Sequence, residues 1–283
     1  MKQRWWAVAA LLLLLVGAPR AGAQDDDSAE GIGPAPSEAR AVIERAIEAM
    51  GGRAALDAVG NAALTVQAPA EQVQEQHTLR VDGRFMHYAS RRPSGAGFDV
   101  VIARELAFLC DRDPKGVATY VVDLSPDDLV EGSYERDILF MPLLLPALLE
   151  RGARMDYRGR NSEGHEVVRA LVPPAVGGPG RPFVIRLLFD KDTSLLASAM
   201  GIVPLGHDKG KKRYCDYRDY APVGPLKLPH TIHDARGKDD QARTFPVTWR
   251  VNASLPPEKF LRPHVPEEPA ETLGEPPPGS EGK

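Results

Sequence analysis

One stretch of twelve residues, 138–149, constrains the fold of this chain more than any other. It contains no charged or hydrogen-bonding side chain, and prolines stand at positions 142 and 146. The prolines predict a series of short or kinked helices, because each one removes a backbone hydrogen bond. A helix that is apolar on every side must be surrounded by protein or by ligand. We therefore expect this apolar segment (residues 138–149) to be either a helix packed into the core or a lid over an apolar cavity.

The first 23 residues have the pattern of a secretory signal. Lys2 and Arg4 precede a short apolar run, and Ala21-Gly22-Ala23 supplies the small residues that signal peptidase recognises. The sequence therefore predicts cleavage after Ala23 and a soluble protein in the periplasm. No later apolar stretch approaches the length of about 18 residues that would span a bilayer, so no stable membrane anchor is expected.

The length and net charge of the chain limit the kinds of domain and binding partner that we expect. The chain has 283 residues and a formal net charge of −4. The signal holds three basic residues and no acidic residue, so its removal changes the net charge to −7. An acidic protein is poorly suited to bind phosphate backbones, and no nucleic-acid partner is expected. The mature length is ample for one large domain.

The pattern of apolar residues predicts a mainly β protein with a few helices. A helix is expected from Ser37, read as the N-cap, to Gly51-Gly52, and a second helix start is expected at Ser125. Between and after them, alternating residues predict strands, most clearly at Phe245, Val247, Trp249 and Val251. Residues 24–36 are predicted to be a disordered leader, and residues 264–283 a disordered tail rich in Pro and Glu.

Few residues suggest chemistry. His230 and His233 should point to opposite faces of a strand, so they are not expected to share a metal ion. We expect no metal, no cofactor and no catalytic residue. The basic cluster Lys209, Lys211, Lys212 and Arg213 is expected to be a solvated hairpin tip, and Asp216, Asp219 and Asp234 are expected to face water.

The two cysteines, Cys110 and Cys215, leave two alternatives open. An oxidising compartment permits a disulfide between them. The alternative is a pair of free, buried thiols.

Four parts of the sequence carry a resemblance to a known family. They are the helix Ala46-Ile47-Glu48-Ala49-Met50-Gly51-Gly52, the hairpin Leu188-Phe189-Asp190 with Thr193, the late strands around Asp216-Tyr217-Arg218-Asp219 and Leu226-Lys227-Leu228-Pro229, and the closing Val251-Asn252 with Leu255-Pro256 and Phe260. Together they resemble the lipoprotein-carrier (LolA/LolB-like) superfamily of the bacterial envelope. The resemblance implies a strongly curved antiparallel sheet, an unclosed half-barrel covered by helices, over residues 37–263. It also implies an interior that holds acyl chains and a strand arginine that latches the lid, for which Arg80 and Arg84 are candidates.

Two functions are therefore expected as alternatives. The first is a periplasmic protein that binds an apolar ligand, a lipid or a lipoprotein acyl chain, in the half-barrel. The second is a module on the same fold that binds envelope proteins or senses envelope stress, with its helices as permanent core. Neither is an enzyme. The residues expected to line the ligand site or form its lid are Ile138, Phe140, Met141, Leu143, Leu144 and Leu148.

Overall fold

The computed structural model describes residues 32–34, 36–66, 73–81, 85–103, 107–150, 154–172, 182–206, 209–236 and 242–266. The α-helices in these ranges are α1 (Ser37–Ala49), α2 (Arg53–Asp57), α3 (Pro126–Leu139) and α4 (Met141–Leu144), and the 3₁₀ helices are Leu145–Leu149 and Pro257–Phe260. The strands are β1 (Asn61–Val66), β2 (Gln74–Arg80), β3 (Phe85–Arg91), β4 (Gly97–Ile102), β5 (Ala107–Arg112), β6 (Ala118–Asp123), β7 (Arg154–Arg160), β8 (Glu166–Val172), β9 (Phe183–Phe189), β10 (Leu196–Ile202), β11 (Lys212–Val223), β12 (Leu226–Arg236) and β13 (Arg243–Val251).

Within the described residues, thirteen strands form one sheet in the order β6-β5-β4-β3-β2-β1-β13-β12-β11-β10-β9-β8-β7. Every neighbouring pair is antiparallel. Strands β6 and β7 stand at the two ends, so the sheet does not close into a barrel. The predicted fold class, mainly β with one unclosed antiparallel sheet and a few helices, is confirmed.

Contacts of α3 show that the sheet curves around its helices. Gly132 of α3 lies against Ile102 of β4, and the Tyr217 hydroxyl of β11 donates a hydrogen bond to the carbonyl of Ile138. Gly132 and Ile138 are about 9 Å apart along the helix axis. In a flat sheet β4 and β11 would be about 29 Å apart, because six strand spacings separate them. We call the face that contacts the helices the inner face and the opposite one the outer face.

Helix α1 packs across β7 and β8 at one end of the sheet and against the 3₁₀ helix Leu145–Leu149. Its N-cap is Pro36, one residue before the predicted Ser37, and the cap makes no side-chain hydrogen bond. The predicted end is confirmed. Gly51 has φ of +122°, and its Cα lies so close to the Pro225 carbonyl that a Cβ would clash there. The Met50 carbonyl accepts a hydrogen bond from the Lys227 backbone, 2.9 Å away, which ties α1 to the β11–β12 turn.

Helix α3 begins as the sequence predicts. Ser125 is its N-cap, and the Ser125 hydroxyl accepts a hydrogen bond from the Asp128 backbone at 3.2 Å. The Asp128 carboxylate accepts one in return from the Ser125 backbone at 3.3 Å, which completes a capping box. The apolar segment then breaks at its prolines into the end of α3, α4 and the 3₁₀ helix Leu145–Leu149, also as predicted.

Ordered structure extends beyond residues 37–263 at both ends. Ile32 is buried, and Pro34 forms an isolated bridge with Arg154 of β7, although both fall in the predicted disordered leader. The edge of β7 offers unpaired backbone groups, which explains why the preceding chain pairs with it. At the other end, Val265 packs against the outer face. The predicted signal and most of the predicted tail lie outside the described residues.

Candidate functional site

The apolar segment lies in the main core. Its six predicted ligand-lining or lid residues are all buried on the inner face, with fractional exposures from 0 to 4%. The Phe140 ring packs edge-on against Trp249 of β13, with the centroids 5.8 Å apart. The same core includes the inward side chains of β8 and β9, among them Val168, Ile185 and Leu187. The structure therefore brings all six predicted residues together; whether they line a ligand site or form a lid stays a prediction.

We call this core the interior cluster. It joins one face of α1, the apolar segment and the inner-face side chains of strands from both halves of the sheet. Its largest members include Ile43, Ile47, Met50, Leu64, Leu79, Tyr134, Ile138, Phe140, Phe189 and Trp249.

A buried ion pair borders the interior cluster on β11 and β12. The Arg213 guanidinium donates two hydrogen bonds to the Asp234 carboxylate, from Nε at 3.0 Å and from Nη2 at 3.1 Å. Its Nη1 lies 3.0 Å from Oε1 of Glu135 on α3. Burial alone would lower the pKa of Arg213, but the charges of Asp234 and Glu135 raise it well above its usual value. The guanidinium stays charged and ties α3 to the sheet.

The predictions were wrong for three polar residues of this region, whereas Lys209, Lys211, Lys212 and Asp219 are exposed as predicted. Arg213 was expected at a solvated hairpin tip, but it is 4% exposed. Asp216 and Asp234 were expected in water, but each is 5% exposed. The sequence contains the signal: Arg213, Cys215 and Tyr217 alternate, so all three side chains belong on one face. The sequence did not reveal that the Asp234 carboxylate on the neighbouring strand accepts hydrogen bonds from Arg213.

The charged side chains continue across β13 and β2 on the inner face. Nη1 of Arg243 lies 3.3 Å from Oε1 of Glu75, and Nε2 of His77 lies 3.9 Å from Oε2 of the same carboxylate. Arg243 is the register partner of Asp234, so the second pair adjoins the first. We call Glu135, Arg213, Asp234, Arg243 and Glu75 the polar row. No local sequence pattern marks Glu75 or Arg243 as members of a site.

Aromatic rings stand at the Glu75 end of the polar row. The His77 and Tyr88 rings are 4.6 Å apart, and the Tyr88 and Phe98 rings meet edge-on at 5.7 Å. On the other side, the Arg243 guanidinium lies over the Phe245 ring, 5.5 Å from its centroid. All four rings are partly exposed. This end of the inner face is therefore aromatic and charged.

The pKa values at this end follow from burial and charge. Burial would raise the pKa of Glu75, but His77 and Arg243 outweigh it and lower the pKa to about 2. Burial is the main cause that raises the pKa of Tyr88, and the negative charge of Glu75 raises it further. At neutral pH the site therefore presents a carboxylate beside a neutral phenol.

Neither arginine suggested by the family resemblance is placed as the lid latch. Arg80 is an exposed residue of β2 whose guanidinium lies over the Phe85 ring, 5.5 Å from its centroid. Arg84 lies outside the described residues. Arg213 is a strand arginine that does contact a helix on the inner face, through Glu135 of α3.

The outer face of β3 to β6 carries a second, smaller core, the outer cluster. It consists of Val101, Phe108, Cys110, Ala118 and Phe260. Ile102 of β4 faces α3 and therefore lies on the inner face. Val101 is its neighbour on the same strand, so alternation places Val101 on the outer face.

An ion network adjoins this outer cluster. The buried Asp99 carboxylate accepts hydrogen bonds from Arg91 and Arg112, and Nε2 of His87 lies 3.6 Å from its Oδ1. Burial opposes ionisation of Asp99, but these three neighbours outweigh it and hold the pKa of Asp99 well below its usual value. The His87 ring in turn contacts the Phe260 ring edge-on, with the centroids 6.4 Å apart.

The two cysteines are free thiols, the second of the two alternatives. Cys110 belongs to the outer cluster and Cys215 to the interior cluster, so they face opposite sides of the sheet. Burial raises the pKa of both thiols.

Among the residues that the structure describes, no group of three or more His, Cys, Asp or Glu side chains is arranged to hold a metal ion. No helix in the same part of the chain has the length and apolar character needed to cross a membrane.

Comparison with known proteins gives matches among solved structures. No family model and no curated protein matches the chain. A DUF1329 family protein from Desulfovibrio piger matches with 13% identity and a TM-score of 0.45, over 79% of this chain and 97% of that one. A LolA superfamily protein from Nitrosomonas europaea matches with 12% identity and a TM-score of 0.45, over 79% and 97%. The lipoprotein LppX from Mycobacterium tuberculosis matches with 11% identity and a TM-score of 0.26, over 61% and 90%. The superfamily that the sequence resembles is thus represented among the matches.

Proposed function

We propose that this protein is an exported envelope protein that binds an apolar ligand, a lipid or a lipoprotein acyl chain, on the inner face of its curved sheet. One observation carries the proposal. The apolar segment, which has no polar side chain, packs against the inner face of a sheet that is not closed. An acyl chain offers the same apolar contacts, and each buried methylene contributes about 0.8 kcal/mol.

The local construction of the segment supports its movement. Prolines at positions 142 and 146 divide it into short pieces, so displacing one piece breaks few helical hydrogen bonds. In this proposal Ile138, Phe140, Met141, Leu143, Leu144 and Leu148 contact the ligand, and residues 37–263 form the binding unit. Residues 1–23 direct export and are removed after Ala23.

Two measurements test the proposal. Native mass spectrometry of protein purified from cells is expected to show a co-purified lipid mass. A fluorescent fatty acid is expected to bind the delipidated protein and to be displaced by unlabelled fatty acid. Protein that is consistently ligand-free and does not bind the probe would overturn the proposal.

A matched pair of variants locates the binding. Leu144→Gln places a polar group in the interior cluster and is expected to weaken probe binding at least about fivefold, because a buried amide without partners costs about 1–3 kcal/mol. Leu261→Gln makes the same change at a side chain that is 60% exposed, and probe binding is expected to be unchanged. Circular dichroism checks that both variants are folded. Equal effects of the two would place the ligand elsewhere.

A second candidate function rests on a different observation. Val117, Tyr120 and Leu261 are large apolar residues that are 43%, 50% and 60% exposed. An ion pair between Arg262 and Asp123 holds Leu261 close to β6, which stands at one end of the sheet. Large exposed apolar side chains on and near an edge strand suit a protein partner. The helices would then be permanent core, as in an interaction or stress-sensing module.

The two candidates give different results in one experiment. In the second, Tyr120→Ser removes in-cell crosslinks to an envelope protein, and the purified protein carries no lipid. In the first, the same substitution leaves lipid content and probe affinity unchanged.

A further inference from the structure

The polar row has a charge and a geometry that suit one class of head group. It contains three carboxylates and two guanidinium groups, and therefore one net negative charge. Beside its Glu75 end, the partly exposed rings of His77, Tyr88 and Phe98 contact one another in series, and His77 lies next to Glu75. The faces of aromatic rings attract cations, most strongly where a carboxylate stands nearby and water is partly excluded.

The chain already places one cation in such surroundings. The Arg243 guanidinium lies 5.5 Å from the centroid of the Phe245 ring while its Nη1 contacts Glu75 at 3.3 Å. The Arg243 side chain is 46% exposed, so it can move aside or share the carboxylate. Glu75 remains ionised at any physiological pH because its pKa is lowered to about 2.

The site also borders the interior cluster directly. His77 and Glu75 of β2 pair with Leu64 and Val66 of β1, respectively. Both of these β1 residues belong to the interior cluster. A ligand with its chain among the apolar side chains would therefore present its head to Glu75 and the rings. We propose that the ligand is an amphiphile with an ammonium head, an amine or a quaternary ammonium, held by Glu75, Tyr88 and Phe98.

This inference rests on the proposed function for the chain-binding part of the site, and the experiment separates the two. Dodecyltrimethylammonium, dodecanoate and dodecyl maltoside share one alkyl chain and differ only in the head. Each is titrated below its micelle concentration against the delipidated protein by calorimetry. The ammonium is expected to bind about tenfold more tightly than the carboxylate, which is about 1.4 kcal/mol.

Variants identify the residues responsible. Glu75→Gln is expected to reduce the ammonium preference to about twofold or less, whereas Glu44→Gln, which removes an exposed carboxylate from α1, leaves it at about tenfold. Phe98→Leu keeps an apolar side chain but removes the ring face, and is expected to reduce the preference about threefold. It also provides a second test if Glu75→Gln does not fold.

The outcomes distinguish the two ideas. Equal affinity for the three amphiphiles overturns the ammonium site and leaves the proposed function intact. If none of the three binds, the proposed function fails, and tetramethylammonium alone then decides the inference by nuclear magnetic resonance. Saturable shifts of the His77 and Tyr88 ring signals would support the head-group site, and unchanged signals would overturn it.

Discussion

The interior cluster and the outer cluster lie on opposite faces of the same sheet and have similar parts. Each contains a free cysteine, and each adjoins an arginine–carboxylate network. They differ in how completely their charges are enclosed. The side chains of Arg213 and Asp234 are 5% and 7% exposed, whereas those of Arg91 and Arg112 at the outer network are 29% and 25% exposed.

The difference shows how one sheet supports a large core on its inner face and a small, local core on its outer face. The interior cluster joins α1, the apolar segment and both halves of the sheet, so displacing one short piece of the apolar segment leaves α1 packed against the sheet. The outer cluster is covered by the chain around the 3₁₀ helix Pro257–Phe260. That short segment can detach while the sheet stays intact.

The largest expected effect comes from truncating one phenylalanine in each cluster. Phe140→Ala should lower the free energy of unfolding by about 4 kcal/mol, because it leaves a cavity in a fully enclosed core. Phe260→Ala should lower it by about 1–2 kcal/mol, because Phe260 lies at the rim of a small cluster. Urea unfolding with a shared slope measures both. Equal losses would mean that the outer cluster is as essential as the interior one.

The next prediction compares the two ion networks. Arg213→Met should lower the free energy of unfolding by about 3 kcal/mol, because it removes the guanidinium that donates two hydrogen bonds to the buried Asp234 carboxylate. Asp99→Asn should lower the free energy of unfolding by about 1–2 kcal/mol. The loss is smaller because Arg91 keeps its hydrogen bond to the Phe98 carbonyl, and the guanidinium groups of Arg91 and Arg112 both reach water. Thermal unfolding at neutral pH compares the two variants. A larger loss for Asp99→Asn would contradict the difference in enclosure.

Acid should weaken the polar row in a defined pH range. Because the pKa of Glu75 is lowered from 4.5 to about 2, its ionised form stabilises the fold above pH 4.5, and this contribution is lost as the pH falls towards 2. At about 1.4 kcal/mol per pKa unit, the loss amounts to about 3 kcal/mol.

The Glu75→Gln variant isolates that contribution. Its free energy of unfolding should fall less steeply between pH 5 and about pH 2 than that of the unsubstituted protein. Parallel curves would show that Glu75 is not coupled to folding. Glu44→Gln, at an exposed site on α1, is the matched control.

The smallest effect is local and separates the thiols. Phe260→Ala should raise the labelling rate of Cys110 by a maleimide about tenfold, because weaker packing makes local opening more frequent. The labelling rate of Cys215 should be unchanged, since Cys215 belongs to the interior cluster and Phe260 to the outer cluster on the opposite face of the sheet. Single-thiol variants, Cys110→Ser and Cys215→Ser, assign the rates. Parallel acceleration of both thiols would show that the two clusters open together.

Local sequence patterns predicted the helices and strands, because the residues that specify such an element lie close together in the chain. Phe245, Val247, Trp249 and Val251 alternate, and they lie on β13 with Val247 and Trp249 in the interior cluster. The capping box at Ser125 and the prolines of the apolar segment act within four residues of the backbone that they shape. Such features need no knowledge of the rest of the chain.

The polar part of the site could not be predicted in this way. A charged residue on a strand has the same alternation whether its face is wet or enclosed, so Arg213 was placed in water. Its position depends on Asp234, 21 residues away, and on Glu135 from a different element. Glu75 and Arg243 are 168 residues apart and meet only because β1 lies between their strands.

The sequence by itself determined which segments become helix or strand, and that residues 138–149 must be sheltered from water. Backbone geometry and side-chain polarity act locally, so these consequences do not depend on the order of strands. The tertiary structure alone decided which face of each strand is enclosed and which charges stand beside each other there. A buried charge is tolerated only where an opposite charge reaches it, and that partner comes from a distant part of the chain.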